Sequence, residues 1–475
     1  MQVKGSVMQH ECVFIILGAT GDLTKRKLIP AIYKMVASGV IARFAIIGVS
    51  VDDTTMQQVF EQARMFVPDL REAVWEHMKQ ASYYHRMDFN DHAAYAQLNR
   101  LISTVEKTNN LVANRLFYLA TMPHHFMVIT KQLAAHGLVK KCARLCDDQK
   151  QTWQRIVYEK PFGDSLASSR QINDAIAEVL DEHQVFRIDH WLGKELVGNI
   201  ALARFTNRVF EPLWHAEHIE SVQIIASEKI GIEGRGQFYD AYGTLKDMVQ
   251  NHLLQLLALV AMEDPVHFTA DYLRDAKAAV LSKVSIDNVI LGQYDGFLEE
   301  KGVSPTSTTD TFAAVKISID TPRWSGVPFY LKAGKFLEKK EAAIHIKFKP
   351  VRCLLDICPT DTNYLTINIQ PHEGMYLTLN AKKPGVFNDV TPINMHFSHA
   401  ALFGPNTPAA YEVLLADVLR GDQCAFVRAD EIDLAWRIIQ QISNKQVLLQ
   451  RYARGSTGPD TTSMLDTERT IIWKT

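Results

Sequence analysis

Two kinds of hydrophobic pattern follow one another along the 475-residue chain. In the first third, short apolar runs alternate with segments of helical period. Cys12 to Leu17 is a β-rich run, Asp22 to Ala37 has helical spacing closed by Gly39, and Phe44 to Gly48 is a second apolar run. That order winds a parallel sheet through βαβ units. Pro30 falls inside the helical stretch and marks either a kink or a fresh first turn. Further strands are expected at Leu116 to Ala120 and Arg155 to Tyr158, among helical stretches such as His92 to Thr104.

Past about residue 215 the pattern changes to strict alternation. Val315, Ile317 and Ile319 alternate with Lys316, Ser318 and Asp320; Ile344, Ile346 and Phe348 with His345, Lys347 and Lys349. Leu365, Ile367 and Ile369 repeat it, as do Met375, Leu377 and Leu379. Successive period-2 segments with few helices between them imply an antiparallel sheet with one covered face. Gly243 to Glu263 reads as one buried helix, apolar all round from Leu256 to Met262.

Composition narrows the class. Hydrophobic content of 47% and charged content of 22% are those of a soluble globular protein, and the length favours two domains. A net charge of −2 gives no electrostatic reason to expect nucleic acid or an anionic membrane as partner. The longest strongly apolar run, Leu256 to Met262, is far short of a bilayer span, and Cys12 to Leu17 fits a strand better than a secretion signal. The six cysteines show no CxxC pair, and no nearby His completes a metal set with Cys142 and Cys146. Reduced thiols, no metal and a cytoplasmic location are expected.

Three segments carry candidate chemistry. Gly18-Ala-Thr-Gly21-Asp22-Leu23 follows the first strand and opens the first helix, where glycines let the backbone approach a pyrophosphate at a helix N-terminus. An ordinary βα turn capped by Asp22 is the competing reading. The second strand's end, Gly48-Val-Ser-Val-Asp52-Asp53, has no Arg or Lys for a 2′-phosphate and its acids come late, so it leaves NAD and NADP both open. RIDHWLGKE, Arg187 to Glu195, sets Asp189 beside His190 with Lys194 four places on, interrupted by Ile188, Trp191 and Leu192. Such a segment either holds an anion beside a proton-transfer group or starts a helix with an Asp cap and a surface salt bridge. His252 shares a helix face with Leu245, Val249 and Leu256, next to Lys246, Asp247, Gln250 and Asn251. It is either a satisfied core histidine or a general base, and burying five polar groups together favours a site that supplies their partners. Asp189 is the candidate carboxylate to orient it.

Many ordered motifs together resemble the glucose-6-phosphate dehydrogenase family: GATGDLTKRKLIP at Gly18 to Pro30, NRLFYLA at Asn114 to Ala120, EKPFG at Glu159 to Gly163, and RIDHWLGKE. FEPLW (Phe210 to Trp214), EGRG (Glu233 to Gly236), DMVQNHLLQ (Asp247 to Gln255), GVPFYLKAGK (Gly326 to Lys335) and FVRADE (Phe426 to Glu431) continue it. The resemblance implies an N-terminal Rossmann-like dinucleotide-binding domain, residues 1–186, and a larger α+β domain on an antiparallel sheet, residues 187–475. It implies oxidation of glucose 6-phosphate at C1 to a lactone with hydride transfer to NADP, the use of NAD being an alternative. By resemblance, His252 is the base, Asp189 orients it, and Lys160 lies by substrate and cofactor, before a Pro161 whose preceding bond is often cis in the family. His190 and Lys194 resemble phosphate ligands; Glu228, Asp247, Lys335 and Lys340 resemble groups on the sugar hydroxyls. Gly18, Thr20, Gly21, Asp22, Leu23, Lys27 and Asp88 fall where the family holds its dinucleotide. A homodimer or homotetramer is implied as well.

Three departures qualify the resemblance. Trp191 replaces the family's Tyr and offers no acceptor; Lys246 replaces an Arg fork; Val51 stands where the 2′-phosphate Arg would be. An NAD-preferring relative acting on another sugar, or a weakly active homologue with a binding role, remain the alternatives.

Overall fold

The structure, a computed structural model, describes residues 10–142, 152–351, 363–385, 390–398, 401, 404, 408–443, 445, 447–464 and 473–474. Cys146, Cys353 and Cys358 lie outside them. The chain forms two compact units: Met1–Gly193 with Thr269–Asp271 and Pro408–Ile432, and Lys194–Phe268 with Tyr272–Thr407 and Asp433–Thr475.

The first unit is built on β1 (His10–Leu17), β2 (Ile41–Ser50), β3 (Ser82–Arg86), β4 (Arg115–Leu119), β5 (Gln154–Tyr158) and β6 (Val185–Ile188). Their order is β3-β2-β1-β4-β5-β6, all parallel, with Phe426–Val427 antiparallel at the β6 edge. Cys12 through Leu17 are all essentially inaccessible, as expected of a strand covered on both faces. The stretch from Asp22 to Ala37 is helical, and over Thr24–Leu28 it adopts the wider π winding. Pro30 begins the regular turns of Ile29–Ala37, so the missing N–H falls where the winding changes. Gly39 ends the segment at φ +79°. The returning segment Pro408–Ile432 belongs to this unit for packing reasons. Phe426 meets Phe186 edge to face with centroids 4.9 Å apart, and the Arg155 guanidinium donates to the carbonyls of Val418 and Leu419 at 2.7 and 2.9 Å.

The second unit carries β7 (Ile219–Ser227), β8 (Val284–Tyr294), β9 (Phe312–Ile319), β10 (Phe329–Gly334), β11 (Glu341–Phe348), β12 (Tyr364–Gln370), β13 (Gly374–Lys382) and β14 (Val390–Ser398). With Leu449–Tyr452 they make a nine-stranded sheet in the order β14-β13-β12-β11-β7-β10-β9-β8, Leu449–Tyr452 pairing with β8. The sheet is mostly antiparallel, but β7 pairs with β10 in parallel and so does Leu449–Tyr452 with β8. The buried helix differs from the single one expected over Gly243 to Glu263. Gly243, at φ +65°, separates a preceding helix from a π-wound stretch, Leu245–Leu253, which runs into regular α-helix over Leu254–Ala261. All eight residues of that last stretch are buried. Its terminal carbonyls are satisfied by Trp214 Nε1 and Arg204 on Val260 O, at 2.7 and 2.9 Å, and by Trp324 Nε1 on Ala261 O at 2.7 Å.

Candidate active site

In the first unit the strand order reverses at β1, and the glycine loop leaves the carboxyl end of that strand, where doubly wound sheets bind ligands. Gly18 sits at φ +96°, and a Cβ there would lie 2.3 Å from the Ala120 carbonyl oxygen. Gly18 N–H donates to Val49 O at 2.8 Å and Gly21 N–H to Gly18 O at 3.1 Å, which ties the loop to β2 and turns it into the helix. Only a residue without a side chain fits at Gly18, and the exposed helix start at Asp22 leaves room for a pyrophosphate. Leu23 packs partly into the core, while Asp22 pairs loosely with Arg26 at 3.7 Å on the surface. The Thr20 hydroxyl meets Ser50 and Asp52 at the end of β2. Asp88, past β3, is exposed and accepts from Asn90 N–H at 2.9 Å, shaping its own turn. Lys27 lines a hollow of about 470 Å³ with Arg26, Lys34, Phe66, His190 and Tyr411.

Lys160 follows β5 and is half-buried, and its bond to Pro161 is cis. Behind it Glu159 is buried and accepts from the Tyr118 hydroxyl at 2.5 Å. Burial pushes the Glu159 carboxyl up, opposed by hydrogen bonds from Tyr118 and Tyr411 and by the charge of Lys160. Asp189 follows β6 and is buried, with Oδ1 accepting from Trp191 N–H at 2.9 Å. So Asp189 closes a turn and does not cap a helix, since the next helix starts at Glu195 with Lys194 as its N-cap, and Trp191 and Leu192 are buried around that turn. Arg187 is held by Asn173 and Glu182 and serves the fold.

In the second unit the π-wound stretch brings Asp247, Gln250 and His252 inside, each under a tenth exposed, His252 at 1%. The stretch is fastened at its start by Asp310, whose Oδ2 accepts from Leu245 N–H at 2.7 Å and whose carbonyl accepts from Thr244 N–H at 3.0 Å. Burial lifts the Asp310 carboxyl to about 6, against the pull of those N–H groups and of Lys246. Gly243 is required here, because a Cβ would come within 2.8 Å of the Asp310 carboxylate.

Glu228, just past β7, and Lys335, just past β10, form an ion pair in which Lys335 is 3% exposed. The Lys335 ammonium lies 5.5 Å from the Tyr239 ring centroid. Burial first, and then the nearby Asp247, Asp310 and Glu228 carboxylates, drive the Tyr239 hydroxyl well above its usual range, so it stays protonated. The structure thus brings Glu228, Lys335 and Asp247 around one buried phenol. Lys194 is separate from them and bonds Gln370 Oε1 at 2.9 Å. Burial lowers its pKa, with Glu373 opposing and Lys340 reinforcing the shift. Lys340 itself is exposed.

Asp310, Tyr239 and Glu159 were not legible as residues of this region, and Asp52 only as an acid that comes late. Asp310 lies in the polar run Ser304 to Asp310, which reads as a loop, and Tyr239 looks like core. One His-Glu-His group, His215, Glu217 and His218, has ligand atoms within 4.8 Å of one another. The hollow beside His215 is lined by Arg208 and Arg323 and by Glu211 and Glu263, both of which pair with Arg323.

A parallel 3-2-1-4-5-6 sheet with a glycine loop, followed by a sheet unit with a buried histidine, acids and lysines, is the arrangement of a two-domain, dinucleotide-dependent oxidoreductase. Residues 15–199 match the family model for the glucose-6-phosphate dehydrogenase NAD binding domain, and residues 201–474 that for the C-terminal domain. The chain is 39% identical over 479 residues to glucose-6-phosphate 1-dehydrogenase of Chlamydia pneumoniae, covering 94% of this chain and 93% of that protein. It is 36% identical over 490 residues to the Bacillus subtilis (strain 168) enzyme, covering 98% of each. A solved glucose-6-phosphate dehydrogenase in complex with its substrate glucose-6-phosphate superposes with TM-score 0.88 at 32% identity, over 98% of this chain and 99% of that one. The enzyme of Mycobacterium avium gives 0.84 at 34%, over 98% of each. The chain belongs to the glucose-6-phosphate dehydrogenase family, oxidoreductases acting on the CH–OH group of a sugar phosphate.

Proposed function

We propose that the chain oxidises D-glucose 6-phosphate at C1 to 6-phospho-D-glucono-1,5-lactone, the first oxidative step of the pentose phosphate route. The observation that carries this reading is the buried polar stretch Leu245–Leu253, which buries His252 and sets Asp247 near the Tyr239 phenol that the Glu228–Lys335 pair flanks, in a chain that matches the family along nearly its whole length. His252 takes the C1 hydroxyl proton, with Asp189 as the carboxylate that orients it. Glu228, Asp247 and Lys335, with Lys340 at the margin, hold the sugar hydroxyls. Lys194 and His190 hold the phosphate. A lysine already partly desolvated needs an anion, and a phosphate restores its preference for the charged form. Trp191, by contrast, supplies its bulk to the core.

Gly18, Thr20, Gly21, Asp22, Leu23, Lys27 and Asp88 are the proposed dinucleotide residues, and the Gly18 cradle, which a Cβ would fill, fits that role. A bound nicotinamide would supply the acceptor for the hydride leaving C1, and Lys160 would stand by substrate and cofactor. NADP is typical of the family and is implied here by resemblance; the Asp52 carboxylate at the end of β2 favours NAD as a second reading. A base and a hydride acceptor suffice for the chemistry, so the reading needs no metal. It also assigns the chain to the cytoplasm, without nucleic-acid or membrane partners, as a homodimer or homotetramer. Among the described residues no helix is long and apolar enough to cross a membrane, and the buried Cys12 is a free thiol.

Initial rates of dinucleotide reduction, with glucose 6-phosphate against glucose and other sugar phosphates, test the reading. Glucose 6-phosphate is expected to be the best substrate, and a better one in that panel would redirect it.

A further inference from the structure

The residue past the end of β2 is tied into the glycine loop. Asp52 stands two places beyond Ser50, the last residue of β2. Its Oδ2 accepts from the Thr20 hydroxyl at 2.5 Å and from the Ser50 hydroxyl at 3.0 Å, and the two hydroxyls lie 2.9 Å apart. Tyr84 donates to the Asp52 carbonyl at 2.8 Å and so fixes the backbone as well. Among the described residues no donor is bonded to Oδ1, which leaves one carboxylate oxygen open. The hydroxyls of Thr20 and then Ser50 hold the carboxyl below its usual range, with smaller help from Lys25 and Arg86, so Asp52 is charged at neutral pH.

In doubly wound sheets an acid at the end of the second strand accepts from the adenosine ribose 2′-hydroxyl, whereas a 2′-phosphate calls for a cation at that place. Here the residue beside Asp52 is Val51, exposed and uncharged. The nearest guanidinium, Arg86, donates Nε to the Val51 carbonyl at 3.0 Å and has its head 3.8 Å from the Asp53 carboxylate. A phosphate dianion reaching Arg86 would therefore lie against two carboxylates. Thr20, which could otherwise donate to a phosphate, already spends its proton on Asp52. Lys27 lines the hollow with Phe66 and His190.

We propose that Asp52 sets the dinucleotide preference of this chain toward NAD, with Oδ1 accepting from the ribose 2′-hydroxyl and the carboxylate turning away a 2′-phosphate. This rests on the dinucleotide-dependent dehydrogenase reading above and adds the choice of dinucleotide to it.

Fluorescence titration of the purified chain with NADH and NADPH, in the absence of sugar, tests it directly. The wild-type chain is expected to bind NADH more tightly than NADPH by roughly tenfold or more, as loss of a hydroxyl partner plus charge repulsion implies. Asp52→Asn, which keeps the side chain's size and removes its charge, should narrow the ratio, and Asp52→Ala combined with Val51→Arg should reverse it. The ratio of kcat/KM for NAD and NADP with glucose 6-phosphate should follow the binding ratio through the series. Tighter NADPH binding by the wild type, or a ratio unmoved by either variant, would overturn the proposal. Failure of the two readings is distinguishable: the expected binding ratio without glucose 6-phosphate oxidation sinks the substrate assignment and leaves Asp52 in place. Oxidation with NADP preferred does the reverse. Binding of neither dinucleotide overturns both.

Discussion

His252 is a single imidazole buried at 1% exposure among Asp247, Gln250 and Asn251, which is an expensive way to fill a core and a sensible way to place a base. His252→Asn removes the proton acceptor and keeps a polar side chain of similar size. Turnover should fall by roughly two to four orders of magnitude, with the dissociation constant for glucose 6-phosphate little changed. Calorimetric binding beside steady-state rates reads the two separately, and an unchanged kcat would remove His252 from the mechanism. Lys194 carries a different task. Its ammonium is partly desolvated and held by Gln370, so Lys194→Ala should weaken glucose 6-phosphate far more than glucose. Equal losses of KM for the two sugars would show that Lys194 does not hold the phosphate. At this scale sequence reasoning reached different depths. Lys335 and Glu228 carry no pattern of their own and read as strand-edge charge without the family resemblance; a tertiary pairing over 107 positions makes them a part-buried ion pair. Asp52 was visible only as an acid that comes late, because its meaning depends on Thr20, 32 positions earlier in the chain.

The elements were legible where apolar and polar side chains alternate, even in β11, whose Ala342–Ile346 are all buried. β11, β12 and β13 show in the alternation of Ile344, Leu365 and Met375 with their polar neighbours. β7 and β10 escaped because buried polar residues, Ser221 and Gln223 in the one and Lys332 in the other, break the apolar run that a strand covered on both faces would show. The π winding of Leu245–Leu253 also left no trace, because it depends on Gly243 and on the Asp310 cap rather than on spacing. That cap makes the element sensitive to pH. The Asp310 carboxyl is lifted to about 6 from an ordinary 3.8. Between those values the folded chain keeps a proton that the unfolded chain has released, so this group's contribution to stability falls as pH rises through the window and is level above it. The scale is on the order of 1.4 kcal/mol per pK unit. Asp310→Asn still accepts from Leu245 N–H and cannot ionise. Its melting temperature relative to wild type should therefore be higher near neutral pH than near the lower end of the window, and a difference independent of pH would exclude Asp310 as the titrating group. The glycine loop is constrained in a second way. Gly18→Ala meets both a positive φ and the Ala120 carbonyl, so it should cost roughly 1–3 kcal/mol of stability and weaken dinucleotide binding; denaturant unfolding and reduced-dinucleotide titration check the pair.

For the whole molecule, the change of grammar near residue 215 correctly separated a parallel sheet from a mostly antiparallel one. What sequence order could not convey is that Pro408–Ile432 returns to the first unit, a long-range packing event set by Phe186, Arg155 and Gly193. The proposed homo-oligomer has a surface to use in the outer hairpin β13–β14, where Ile393 and Met395 are exposed on the edge strand. Replacing both with Asp should shift the sedimentation coefficient toward the monomer, and an unchanged value would place the contact elsewhere. The central claim is that this chain moves hydride from C1 of glucose 6-phosphate to a nicotinamide. Glucose 6-phosphate deuterated at C1 tests it most directly, with the reduced dinucleotide and the sugar product both weighed by mass spectrometry. The account predicts one deuterium in the reduced dinucleotide and a lactone, or the acid from its hydrolysis, that has lost it. Deuterium retained on the sugar, or absent from the dinucleotide, would contradict the account.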